Sequence, residues 1–355
     1  MAQQTALIVG ATGIVGLNLA QHLQQLGDWQ VYGLARKPAL PQGIQPLTAD
    51  LQDAASVRDA LAGIKPTHIF LSTWLRQSTE AENIRVNGGM VRNLLQAAAP
   101  AQTVQHVALV TGLKHYLGPF ESYGKGTLPA TPFREEQGRL PVDNFYYAQE
   151  DEVFAAATQQ GFTWSVHRPH TIIGYALGNA MNMGVTLAVY ASLCRATGMS
   201  FVFPGSAVQW NSLTDMTDAR LLASHLAWAS TQDAGRNQAF NVVNGDVFRW
   251  SWMWRRIAEW FGIEALPFPQ TEQPLATQLK DAAPAWRQIA QRHSLVEPDI
   301  DRLASAWHTD ADLGRPIEVL TDMSKSRKLG FLDYQATDES FFDLFTRLRA
   351  SRVIP

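Results

Sequence analysis

The chain has 355 residues, 46% of them apolar, with 29 Lys+Arg against 32 Asp+Glu and a single cysteine, Cys194. That length and apolar content can bury a large core, which excludes a disordered chain and a disulfide-stapled miniprotein. A net charge of −3 without blocks of like charge leaves no electrostatic footprint for nucleic acid, and one cysteine makes neither a disulfide framework nor a thiolate metal site within the chain.

The first element is an apolar strand from Thr5 to Val9. It lacks the basic start and long apolar core of a signal peptide, and no later stretch reaches the ~20 apolar residues of a membrane span. A cytoplasmic protein without a membrane partner is therefore expected. Gly10-Ala11-Thr12-Gly13-Ile14-Val15-Gly16 follows, and then a helical apolar pattern through Ile14, Leu17, Leu19, Ala20, Leu23 and Leu26 that stops at Gly27. A glycine pattern between a strand and a helix is the context that marks a dinucleotide site. Gly10 permits the tight turn, Gly13 lets the backbone approach a pyrophosphate, and Gly16 allows the helix to pack closely, with Thr12 and Ile14 on the same turn.

The second strand, Gln30 to Ala35, ends at Ala35-Arg36-Lys37-Pro38, where an NAD site would place an acid for the ribose 2′-hydroxyl. Arg36 and Lys37 would instead pair with a 2′-phosphate, which favours NADP(H); a solvated basic turn is the alternative. Further strands are read at Thr67 to Ser72 and Val104 to Val110, with helical segments between. Strands apolar on nearly every residue and alternating with helices predict an α/β, Rossmann-like doubly wound parallel sheet. We expect an NADP-binding domain over residues 1–169. A smaller, mostly helical substrate-binding domain is expected over 170–355, with segments around 201–245 returning to the first. In the second half a long helix runs from Met181 to Thr197, short strands lie near Phe201 and Ala239 to Val243, and several of Trp250, Trp252, Trp254 and Trp260 read as core rather than function.

The Gly-x-x-Gly-x-x-Gly spacing resembles the short-chain dehydrogenase/reductase superfamily, in its extended form. That resemblance implies adenine contacts at Asp50 and Leu51, and places Thr73 and Trp74 beside the cofactor ribose. The superfamily's ordinary Tyr-x-x-x-Lys pair is missing: Tyr146 is followed at that offset by Glu150, and Tyr147 by Asp151. Either the chain is a non-catalytic NADP sensor or its lysine comes from another element.

Three segments bear on that choice: Val110-Thr111-Gly112-Leu113-Lys114-His115-Tyr116-Leu117-Gly118-Pro119-Phe120, Asn144-Phe145-Tyr146-Tyr147-Ala148-Gln149-Glu150-Asp151 and Trp164-Ser165-Val166-His167-Arg168-Pro169. With Gly245-Asp246-Val247-Phe248 and the terminal Arg352-Val353-Ile354-Pro355, they resemble the progesterone 5β-reductase/iridoid synthase-like family over essentially the whole chain. The resemblance implies an ene-reductase that uses NADPH to reduce the carbon–carbon double bond of a small apolar enone or enal. It assigns the catalytic roles to Lys114 and Tyr146, the Tyr146 phenol stabilising the enolate oxygen formed when hydride reaches the β-carbon.

The family also implies cofactor contacts at Thr111, Ile172, Asn179, Ala180 and Met181. Trp74, Phe120, Tyr123 and the terminal-helix residues Phe341 and Phe342 are candidate substrate walls. Tyr147, about 100° away on the same helix, reads as packing. His115 and His167 read as structural histidines, and no metal is expected. Plant members of the family generally carry Gly after the Arg-Pro pair, where this chain has His170. A homodimer is left open, and an extended short-chain sugar-nucleotide epimerase or dehydratase is a third reading beside the reductase and the sensor.

Overall fold

The computed structural model describes residues 4–119, 130–178, 180–269 and 271–355. Its strands are β1 (Gln4–Val9), β2 (Trp29–Ala35), β3 (Gln45–Thr48), β4 (His68–Leu71), β5 (His106–Val110), β6 (Thr163–Pro169), β7 (Ile172–Ile173), β8 (Thr217–Asp218) and β9 (Gln238–Val242). The helices of the first half are α1 (Ile14–Leu26), α2 (Ala54–Leu61), α3 (Glu80–Ala98), α4 (Lys114–Leu117) and α5 (Phe145–Gln160). The second half adds α6 (Met183–Thr197), α7 (Ala207–Asn211), α8 (Ala219–Thr231), α9 (Trp250–Phe261), α10 (Leu275–Gln278), α11 (Ala283–His293), α12 (Ala306–Leu313), α13 (Ser324–Lys328) and α14 (Thr337–Ala350). No helix among the described residues is long and apolar enough to cross a membrane.

Seven strands form one sheet in the order β3-β2-β1-β4-β5-β6-β9, every neighbouring pair parallel. This is the doubly wound Rossmann sheet that the alternating apolar strands predicted. Ala6, Leu7, Ile8 and Val9 are all fully buried, because both faces of β1 are covered. One face packs under α1 and α8 around Leu19, Leu23, Leu222 and Leu226; the other packs under α2, α3 and α5 around Leu94, Leu95 and Val153. The chain order reverses between β1 and β4, so a crevice opens beyond their carboxyl ends, at Gly10 and at Ser72 to Trp74.

The chain after β6 divides between two places. β9 joins the sheet beside β6 and α8 packs on α1, whereas α6, α9, α11 and α14 enclose a separate core. In that core Trp250, Trp254 and Trp286 are fully buried, and Phe201 stacks on Trp254 with ring centres 4.0 Å apart. Trp252 stands 40% exposed on the outer face of α9. The two-residue pair β7 and β8 sits at the junction between the two units.

Candidate active site

The crevice is built first by the glycine turn. Gly10 holds φ +84°, a conformation that strains any residue with a Cβ, and a Cβ there would meet Thr73 Cβ at 3.0 Å and Ser72 O at 3.2 Å. At Gly16 a Cβ would overlap the Gly10 carbonyl oxygen, so α1 packs directly on the turn. Gly13 is the N-cap of α1 and supplies no side-chain cap, which leaves the first-turn N–H groups for an anion.

Two adjoining cavities, each of about 490 Å³, share Gly10, Thr12, Arg36, Thr73 and Leu75. One is lined by Leu34, Arg36, Lys37, Asp50, Leu51 and Met90. The other runs past Gly13, Ile14, Trp74, Thr111, Ile172 and Met181 to Lys114 and Tyr146. A trough with a helix N-terminus midway, two cations at one end and a phenol and an ammonium at the other has the form of a dinucleotide site.

Lys114 reaches the second cavity because β5 ends at Val110 and the chain turns through Gly112 into α4. Its Nζ lies 4.7 Å from the centre of the Trp74 ring, 4.9 Å from Phe145 and 5.8 Å from Tyr146. Trp74 itself stacks on Phe145 at 5.2 Å, so the ammonium rests against aromatic faces. Asn144 caps α5 by accepting from Tyr146 N at 3.0 Å, and a Cβ at Gly112 would sit 3.4 Å from the Tyr146 hydroxyl oxygen. Tyr146 is 8% exposed, and burial, then the charges of Glu80 and Asp312, push its phenol pKa up, which keeps the proton on the oxygen. Glu80 accepts from Phe145 N at 2.7 Å, placing that carboxylate at the start of α5.

The adjacent tyrosine is committed elsewhere. Tyr147 donates its hydroxyl to the His115 carbonyl at 2.6 Å and accepts from Leu140 N at 3.0 Å.

Residues 36–355 match the family described as PRISE-like Rossmann-fold domain. The chain belongs to that family. Its PRISE-like relatives include an (S)-8-oxocitronellyl enol synthase of Camptotheca acuminata and a 3-oxo-Delta(4,5)-steroid 5-beta-reductase of Arabidopsis thaliana, each 37% identical over 99% of this chain and 94% of the relative. This PRISE-like chain is thereby an oxidoreductase. Solved structures share its fold at lower identity. A putative epimerase of Burkholderia cenocepacia superposes with TM-score 0.67 at 18% identity over 98% of both chains. The Bordetella bronchiseptica enzyme WbmG, solved with NAD and UDP, gives 0.66 at 16% over 98% of this chain and 96% of its own.

The PRISE-like site departs from the sequence reading in several places. Phe120, Tyr123 and Asn179 lie outside the described residues, and Ala180 does not line the cavity. Phe341 and Phe342 correct the expected substrate wall. α14 lies against α6 and α9, so Phe341 is fully buried beside Trp250 and Phe345, while Phe342 is half-buried under the Arg256 guanidinium. Neither is among the residues that line the cavity of Tyr146.

The cavity of Tyr146 is lined on another side by His308, Asp312 and Arg315, together with His170 and Thr171. His170, the departure from the plant pattern, is buried between Asp215 Oδ1 at 2.8 Å and Arg315 at 3.2 Å. Only the i, i+4 spacing of His308 and Asp312 hinted at a shared face, and that spacing is common on any helix. His115 and His167 are buried and hydrogen-bonded, and Arg168 ties Tyr116 to the Glu150 side of α5.

Proposed function

We propose that the chain is an NADPH-dependent reductase of the carbon–carbon double bond of α,β-unsaturated carbonyl compounds, acting on small apolar enones or enals. The observation that carries the reading is that Tyr146 and Lys114 share one cavity with the glycine turn, while the Tyr147 hydroxyl is spent on backbone groups. The reductase name of the Arabidopsis relative supports it.

In this reading the α1 N-terminus with Gly10, Thr12 and Gly13 holds the pyrophosphate, Asp50 and Leu51 the adenine, and Arg36 and Lys37 the 2′-phosphate. Thr73, Trp74, Thr111, Ile172 and Met181 enclose the nicotinamide end. Bound there, the reduced nicotinamide supplies a hydride to the substrate's β-carbon. Negative charge then develops on the carbonyl oxygen, and the Tyr146 phenol donates a hydrogen bond to it. A fixed donor of that kind contributes about 3 kcal/mol to transition-state stabilisation. Lys114 orients the cofactor ribose, and the Trp74 and Phe145 rings around it exclude water.

The domain division at residue 169, with the segment through α8 and β9 returning to the cofactor unit, belongs to the same reading. So does a cytoplasmic location, which suits the buried free thiol of Cys194.

Incubation with NADPH and 2-cyclohexen-1-one, with the reduced cofactor followed by absorbance and the product identified as the saturated ketone, tests the proposal. NADPH that binds tightly but is not consumed with any enone or enal would favour the sensor reading.

A further inference from the structure

α12 presents His308 and Asp312 to the cavity of Tyr146 and Lys114, one helical turn apart on the same face. The helix is firmly placed. Asp312 accepts from Thr171 Oγ1 at 2.7 Å, and Arg315 donates to the Asp312 carbonyl at 2.8 Å and to His170 Nε2 at 3.2 Å. A guanidinium only donates, so His170 Nε2 accepts and the His170 proton sits on Nδ1, directed at Asp215 2.8 Å away. Asp215 in turn accepts from Thr321 N at 2.6 Å. The polar chain from Asp215 to Thr171 is therefore satisfied within the protein.

His308 is not. The buried rings of His68, His106, His115, His167, His170 and His225 each have a hydrogen-bond partner. The His308 ring has none among the described residues, and its Nδ1 is buried without a partner although the ring lines the cavity. The unpartnered Nδ1 is sealed from solvent, so it is the other ring nitrogen, Nε2, that a ligand group in the cavity can reach and pair. Burial holds the ring neutral, with Arg315, Lys114 and Arg76 opposing a proton and Asp312 favouring one. It therefore offers a donor and a lone pair rather than a charge. A carboxylate placed beside it would face the ionised Asp312, and an ammonium would face Lys114 and Arg315.

We infer that His308 is a specificity residue: the substrate carries, besides the conjugated carbonyl, a second uncharged oxygen that hydrogen-bonds the His308 ring. The inference rests on the reading of this cavity as the enone site. It gives the wall made by α12 a purpose that the apolar-wall expectation does not supply.

The test uses enones that differ only in an ethyl, hydroxymethyl or acetyl group on the ring carbon farthest from the carbonyl. The unmutated protein is expected to favour an oxygenated enone over the ethyl compound by about tenfold in kcat/KM, the size of one well-made hydrogen bond, mainly through KM. The hydroxymethyl and acetyl arms show whether a hydroxyl or a carbonyl is read. His308→Phe, which keeps a ring but no nitrogen, brings the ratio close to one, and His308→Gln restores part of it. No preference in the unmutated protein, or a preference that survives in folded His308→Phe, overturns the inference. Calorimetry with the corresponding saturated ketones reads the subsite without turnover. A binding preference lost in His308→Phe and partly kept in His308→Gln, with no enone reduced, supports the subsite and overturns the reductase reading; equal binding of all three ketones overturns the subsite.

Discussion

Asn144 joins Lys114 and Tyr146 through their backbones: its amide donates to the Lys114 carbonyl at 2.8 Å while its oxygen accepts the Tyr146 N–H at 3.0 Å. Asn144 thus ties the start of α5 to α4, alongside the Tyr147 hydroxyl on the His115 carbonyl. Replacing Asn144 separates two effects. Asn144→Ala removes the cap and the link, and should lower stability by about 1–2 kcal/mol and depress kcat. Asn144→Ser can still cap α5 but is too short to reach Lys114, so it should recover most of the stability and little of the rate. Denaturant unfolding and steady-state kinetics on the two variants check this. Equal rates in Asn144→Ser and the unmutated protein would show that the link does not position the pair.

The two neighbouring tyrosines should respond in opposite ways. Tyr146→Phe removes a donor that faces the cavity, so NADPH should bind normally while enone reduction falls by about a hundredfold or more. Tyr147→Phe removes a hydrogen bond to the His115 carbonyl and strands Leu140 N, so about 1–2 kcal/mol of stability should go while most of the rate remains. The comparison needs a simple enone, since a substrate activated by a second electron-withdrawing group depends less on the donor. If Tyr147→Phe is the inactive variant, the assignment within the pair is reversed.

How much of this was legible in the sequence follows from how local each determinant is. Gly10, Gly13 and Gly16 act within seven residues of one another, and their spacing between an apolar strand and an amphipathic helix carries the physics with it. Lys114 and Tyr146 meet through an Asn144 contact that no periodicity reveals, and they were readable only through resemblance to a family. His308 and Asp312 come from α12 and Arg315 from just past its end, about 160 residues beyond Tyr146, and each is an ordinary polar residue until the fold turns it toward the cavity. β7 and β8, two residues each, are too short to leave a strand signal.

Phe341 and Phe342 were misread because adjacency to a family feature outweighed the local pattern. Phe341, Leu344, Phe345 and Leu348 fall at the spacing of one buried helix face, which was readable as a core stripe. Phe341→Ala should therefore cost about 3–5 kcal/mol in denaturant unfolding, and Phe342→Ala much less. Neither should alter the ratio of kcat/KM for bulky against small enones. A change in that ratio would return α14 to the substrate wall.

Cofactor choice should depend on the end of β2. Arg36 lines both cavities and Lys37 the one that also holds Asp50 and Leu51, and residues 35–38 at the end of β2 carry no acid to accept a ribose 2′-hydroxyl. NADPH should be preferred over NADH, and Arg36→Ala should weaken NADPH far more than NADH, by about tenfold or more in kcat/KM. Equal kcat/KM for the two cofactors in the unmutated protein would refute the preference.

The fold also carries a pH dependence of its own. His106 Nε2 bonds Ser165 Oγ at 2.9 Å, which bonds His167 Nε2 at 2.9 Å; His167 Nδ1 meets His225 Nδ1 at 3.0 Å, and His225 Nε2 meets Ser326 Oγ at 2.8 Å. Two imidazole nitrogens at that distance share one proton, so doubly protonated rings would face N–H against N–H. Burial pulls His106 and His225 down to about 3, and His68 to about 4, while His167 is lowered well below its ordinary value. These rings stay neutral in the folded chain and gain a proton on unfolding wherever the pH is below about 6.5. Their contribution is fully present above that value and is lost progressively as pH falls toward 3, with a slope of up to about 1.4 kcal/mol per pH unit for each histidine. Tm should be nearly flat from about pH 7 upward and should fall steeply below pH 6. His225→Phe, which leaves His167 Nδ1 and Ser326 Oγ without that partner, should lower Tm at neutral pH and make the acid slope shallower by about one proton. A Tm unchanged between pH 7.5 and about 5 would mean that the histidine chain takes up its protons in the folded state at no cost to stability.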